Sequence, residues 1–210
     1  MPLTLAFDAT AGRCAVGLFR DGALIASRVE AMERGHAERL FPLIEDCLAE
    51  AGAAPTDVGV VVACTGPGNF TGARIGVAAA RGLALSARAI AVGVDRLEAL
   101  VFGTEGEVAV ALEARGGAIH LARFDGGALT GEARTLQAEE ANLDGARVIG
   151  DAAHRFPEAE LLNPLGDAPL AAIAALGEAK AAAGAPRPAP RYLRPVNAAL
   201  PSEPPPKIIG

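Results

Sequence analysis

The chain has 210 residues, 51% of them apolar and 21% charged, with a formal net charge of −6. That apolar share suffices for one large domain or two small ones without covalent staples. The acidic balance and the scarcity of lysine exclude a chain that grips nucleic-acid phosphates by itself. Three cysteines, Cys14, Cys47 and Cys64, sit in apolar surroundings without Cys-x-x-Cys spacing, so they read as buried thiols of a reducing cytosol. The first eight residues carry no basic segment and do not read as a signal peptide. No apolar run reaches the ~18 residues a membrane span needs, and the expected location is the cytoplasm.

Residues 3–7 and 14–19 are short apolar runs, and Asp21-Gly22 turns the chain into a third run at 23–29, so an antiparallel meander is predicted. From His36 onward, Leu40, Leu43, Ile44, Cys47, Leu48 and Ala51 recur at steps of three and four, the pattern of an amphipathic helix closed by Gly52. Pro42 either kinks this helix or marks the first turn of its regular part. The β-branched run 58–63 predicts a strand covered on both faces. It feeds a glycine-rich turn and a second helix at 72–86 built from small residues such as Gly76, Ala79, Ala80 and Gly82. A strand at 90–94 and a short helix at 96–102 follow.

Gly103-Thr-Glu-Gly-Glu107 marks a boundary. Beyond it, strands are predicted at 108–112, 119–124, 128–135 and 148–150 and an alanine-rich helix at 168–183. This is a coarse repeat of the βββαβα plan of the first half. Residues 185–210 hold eight of the fifteen prolines and predict an extended tail. The reading is therefore an α/β protein with an N-terminal unit (1–102), a smaller second unit (103–184) and a proline-rich tail (185–210).

The turn between the strand at 58–63 and the next helix is the chemically suggestive element. A helix N-terminus offers unpaired N–H groups and partial positive charge, and glycines admit a phosphate. Gly66, Gly68, Asn69, Thr71 and Gly72, with Asp8 and Thr10 at the end of the first strand, are candidate phosphate-binding residues. No Walker lysine or Gly-x-Gly-x-x-Gly spacing accompanies them. The alternative is structural: Asn69 or Thr71 caps the helix, the glycines permit tight packing, and Asp8 forms an Asx turn. His36, His120 and His154 are far apart and none has a histidine four residues on, which excludes a histidine-pair metal site on one helix.

The Asp-headed meander followed by a glycine-rich strand-to-helix turn, and apparently duplicated, resembles the actin, hexokinase and Hsp70 ATPase superfamily. That implies two ribonuclease-H-like lobes, the second reduced. Gly66-Pro-Gly-Asn-Phe-Thr-Gly-Ala-Arg-Ile-Gly76, Phe7-Asp-Ala-Thr10, His36-Ala-Glu-Arg-Leu40 and Tyr192-Leu-Arg194 resemble the TsaB (YeaZ) family. Asp8-Ala-Thr10 departs from the superfamily's Asp-x-Gly-Thr, and Glu113 and His120 are substitutions within a segment that usually reads Asp-Ala-Arg and ends in Tyr.

The resemblance implies a non-catalytic subunit of the bacterial complex that makes N6-threonylcarbamoyladenosine at position 37 of tRNAs reading ANN codons. It implies docking on the catalytic paralogue TsaD, TsaE joining, a homodimer when TsaD is absent, and tRNA contact only through the complex. No intrinsic cofactor is expected, with ATP or ADP at the complex interface left open. The M22 glycoprotease label of the family finds no support in the histidines or in any nucleophile motif. The implied interface is a bundle of the first two long helices: His36, Ala37, Leu40, Phe41, Ile44, Leu48, Arg74, Ile75, Val77, Ala78 and Arg81. The rival reading is a small ATPase or sugar-kinase-like phosphotransferase using Asp8, Thr10 and residues 66–71.

Overall fold

A computed structural model describes residues 2–162 and 169–193. The meander forms as predicted, with longer strands: β1 (Leu3–Ala11), β2 (Arg13–Arg20) and β3 (Ala23–Ala31). Helix α1 (His36–Glu50) leads to β4 (Val58–Cys64), α2 (Phe70–Ala87), β5 (Ile90–Val94) and the one-turn-and-a-half α3 (Arg96–Leu100). The five strands make one sheet in the order β3-β2-β1-β4-β5, antiparallel through the meander and parallel from β1 to β5.

Alternation along the strands sends side chains to two different cores. Leu3, Leu5, Phe7, Val16 and Leu18 meet Leu40, Leu43, Ile44, Cys47 and Leu48 of α1 and Ala79, Ala80 and Ala84 of α2. Ala6, Ala15, Phe19, Val62, Val92 and Val94 face the other way. Strands buried on both faces explain the continuous apolar runs. Pro42 lies inside α1, whose bounds run unbroken across it.

The second sheet contains β6 (Glu107–Glu113), β7 (Ala118–Asp125), β8 (Ala128–Leu129), β9 (Arg134–Gln137) and β10 (Arg147–Ile149). Its order is β10-β6-β7-β8, with β9 also on β7, and β10 runs parallel to β6. Leu161 adds a parallel bridge to Val148, occupying the place that β5 holds in the first sheet. The predicted strand at 128–135 is two short strands. The segment between them is exposed and contains Gly131, which supplies no side chain to pack. Single turns at Ala138–Glu140 and Ala153–Arg155 stand where the first lobe has α1 and α2, so among the described residues the second lobe repeats the strands without the long helices.

Helix α4 (Leu170–Ala182) corrects the expected organisation. Although it follows the second sheet in sequence, Leu170, Ile173 and Ala174 pack on the first sheet beside Ala6, Val62 and Val92. It covers the apolar underside of that sheet, the face that α1 and α2 leave bare. α3 crosses in the opposite sense: Leu97, Leu100 and Val101 join Val108, Val110, Leu112 and Phe124 of the second lobe. The start of the predicted helix at 168 and the tail from 194 to 210 lie outside the described residues. Among the described residues, no helix is long and apolar enough to cross a membrane.

Candidate functional site

The glycine-rich turn is locked to the end of β1. The Asn69 N–H donates to the Thr10 carbonyl at 2.7 Å, and Arg96 N–H to the Gly66 carbonyl at 2.8 Å. A Cβ on Gly72 would overlap the Ala9 carbonyl, and one on Gly68, whose φ is +149°, would overlap that of Thr10. The glycines therefore admit the chain's own carbonyl oxygens. Asn69 caps α2: its Oδ1 accepts from the N–H groups of Thr71 and Gly72 at 3.1 Å each. Of the two caps the sequence allowed, Asn69 is the one used.

Asp8 lies fully buried behind this turn. Its Oδ1 accepts from the Thr10 N–H at 2.7 Å and the Thr10 hydroxyl at 2.6 Å, an Asx turn, while its Oδ2 has no protein partner. The residues present thus fit a nucleotide phosphate poorly. An anion in this loop would face two carbonyl oxygens and a carboxylate against the single guanidinium of Arg96, which Asp151 already pairs, and two of the helix-end N–H groups are already engaged.

Arg96 is the side chain that sequence reasoning missed. It opens α3, is 2% exposed, and its Nη2 donates to Asp151 Oδ2 at 2.8 Å across the lobes. Desolvation pulls its guanidinium pKa down, but the carboxylates of Asp151 and Asp8 outweigh that and hold it above the usual value. Asp151 also accepts from the Glu113 N–H at 2.7 Å. Arg96 and Asp151 line an inter-lobe cleft of about 320 Å³ with Gly12, Arg13 and Leu161. An isolated arginine in an apolar helix was the only sequence signal, and its partner lies 55 residues away.

α1 and α2 lie side by side on one face of the first sheet. Of the expected interface residues, Ala37, Phe41, Arg74, Ala78 and Arg81 are exposed, and Ile75 is half-buried. His36, Leu40, Ile44, Leu48 and Val77 are buried within the chain. This corrects their assignment: Leu40, Ile44 and Leu48 fill the core beneath α1, and His36 Nε2 sits 3.2 Å from the Ala11 carbonyl. Phe41, off the core stripe, remains 45% exposed, and Leu85 at the far end of α2 is 82% exposed.

The remaining histidines are separated in space. His120 pairs with the Thr135 hydroxyl at 2.8 Å in the second sheet, and His154 Nδ1 lies 3.0 Å from the Asp151 carbonyl. Burial pushes the thiols of Cys14 and Cys47 up to about 11.

The first part of the proline-rich tail is not a free end. Its Arg191 N–H donates to the Thr65 carbonyl at 2.9 Å, and the Arg191 guanidinium pairs with Asp95, the cap of α3. Burial still pushes the Asp95 carboxyl above the usual range, with Arg191 opposing it. Pro188 lies over Gly93, and its carbonyl accepts from Arg81 Nη2 at 2.6 Å. Tyr192 accepts from Arg74 Nε at 2.9 Å.

The model of the family described as TsaD: tRNA N6-adenosine threonylcarbamoyltransferase matches residues 26–184. The tRNA threonylcarbamoyladenosine biosynthesis protein TsaB of Escherichia coli strain K12 is 35% identical over 125 residues, 57% of this chain and 54% of that protein. The chain thus spans about half the length of this curated relative. A Pseudomonas aeruginosa crystal structure, described as an uncharacterized protein with similarity to peptidase YeaZ, superposes with a TM-score of 0.76 at 28% identity. That match covers 92% of this chain and 100% of the other. The ADPNP-bound activator of 2-hydroxyisocaproyl-CoA dehydratase from Clostridium difficile shares the fold alone, with a TM-score of 0.51 at 8% identity over 87% of this chain and 96% of that one.

Proposed function

The chain belongs to the TsaD family, as a member of its TsaB/YeaZ group, and from that membership we propose that it serves tRNA threonylcarbamoyladenosine synthesis as a docking subunit. In this reading it performs no chemistry. The exposed side of α1 and α2 docks on TsaD, with TsaE joining the complex, and the same side pairs two copies when TsaD is absent. Contact with tRNA at position 37 comes through the complex, in the cytoplasm, and any nucleotide sits at the subunit junction.

The observation that carries the proposal is the glycine-rich turn seated on the carbonyls of Ala9 and Thr10. It acts as a strut that sets α2 beside α1, which leaves Phe41, Ala78, Arg74 and Arg81 facing outward. A bundle interface uses such a surface, an aromatic anchor beside small residues that allow close helix approach.

The rival, an ATPase or sugar-kinase-like phosphotransferase, has one feature in its favour: the unpartnered Oδ2 of the buried Asp8. Co-purification with TsaD and an ATP-turnover assay on the purified chain separate the two. The docking reading expects a complex and no turnover above background. Hydrolysis that disappears in Asp8→Ala would overturn it in favour of the rival.

A further inference from the structure

The C-terminal segment crosses the exposed edge of α2 and touches it at the two arginines of the proposed docking face. Tyr192 lies with its ring centroid 4.8 Å from that of Phe70, and the Arg74 guanidinium stacks 3.9 Å above the Phe70 ring and 5.8 Å from the Tyr192 ring. The Tyr192 hydroxyl and the Pro188 carbonyl each accept one hydrogen bond, from Arg74 and Arg81 respectively. Both acceptors are neutral. Among the described residues, no carboxylate pairs with either arginine, and α2 contains no acidic residue along its length. The segment is itself fastened by Arg191, through Thr65 and Asp95.

From this geometry we propose that residues 188–193 are a positioning strap for the docking face. The strap fixes Arg74 and Arg81 in one orientation, with their charge uncompensated, for carboxylates on the partner. This rests on the reading that the α1/α2 face docks TsaD. A guanidinium held by aromatic rings and neutral acceptors loses less side-chain freedom on binding and keeps its donors available to an anion. Tyr192 and Pro188 are positioning residues in this scheme, and Arg74 and Arg81 are the contacts.

The test is calorimetric titration of the full chain into TsaD at low and high salt, with the melting temperature of each variant measured alongside. Wild-type binding is expected to weaken as salt rises. Tyr192→Ala and Arg74→Ala are each expected to weaken binding about tenfold at unchanged melting temperature and to flatten the salt dependence. Because they act as one unit, the double variant should lose little more than either single one. Tyr192→Phe, which keeps the ring, should stay within about threefold of wild type. If Tyr192→Ala is too unstable to assay, Tyr192→Leu, which keeps apolar bulk but removes the ring and the hydroxyl that hold Arg74, carries the test and is expected to bind about tenfold more weakly. Wild-type binding with Tyr192→Ala or Tyr192→Leu within twofold of it overturns the strap alone. Wild-type chain that does not bind TsaD overturns the docking reading and the strap with it.

Discussion

At the scale of single residues, the glycine-rich turn is decided by what its glycines touch. Gly68 and Gly72 face backbone carbonyls of Ala9 and Thr10, which cannot swing aside as a side chain can. Gly72→Ala is therefore expected to cost about 3 kcal/mol or more of folding stability, read as a lower urea midpoint, whereas Gly82→Ala, which faces open space in α2, should be neutral or stabilising. Arg96 is the second such residue. Removing it as Arg96→Ala strands Asp8 and Asp151 and should cost about 3 kcal/mol, the low end for a broken buried pair because Asp151 still reaches water. The thiols give the pH dependence. Cys14 and Cys47 titrate near 9 unfolded and about 11 folded, so the folded state prefers them neutral. That contribution to stability is intact below pH 9 and lost as pH rises from about 9 to about 11. Denaturation midpoints measured across that range should fall, and less so in Cys14→Ala.

At the scale of elements, the sequence was most informative where one periodicity met one core. The 3.6-residue stripe of α1 and the β-branched runs of β4 and β5 placed those elements to within a residue or two, because burial alone dictates them. The same stripe misled the interface assignment. An apolar face does not say whether it meets its own sheet or a partner, and Leu40, Ile44 and Leu48 turned out to serve the sheet. Phe41 was separable only because it lies off the stripe. It is expected that Leu40→Ala lowers stability by about 2–5 kcal/mol, as cavity formation requires. Phe41→Glu should leave the melting temperature unchanged and remove self-association in sedimentation runs without TsaD. The strap was illegible for a different reason: prolines predict only extension, and its partners lie up to 118 residues away.

At the scale of the whole molecule, the chain is a duplicated strand plan in which, among the described residues, only the first copy keeps its long helices. The second sheet, with single turns in their place, exchanges elements with the first: α3 packs into the second lobe and α4 returns to the first. Arg96 and Asp151 join the lobes across the cleft that they line. The duplication was legible because the meander signals repeat. The exchange of helices was not, since an alanine-rich helix fits either sheet equally well. The outer face of α1 and α2 is the proposed docking surface. Titration of the folded chain and of folded Phe41→Glu into TsaD tests this most directly. Submicromolar binding by the wild type, weakened at least about a hundredfold in the variant, is the predicted result. Equal binding by both proteins, or no binding by the wild type, would contradict it.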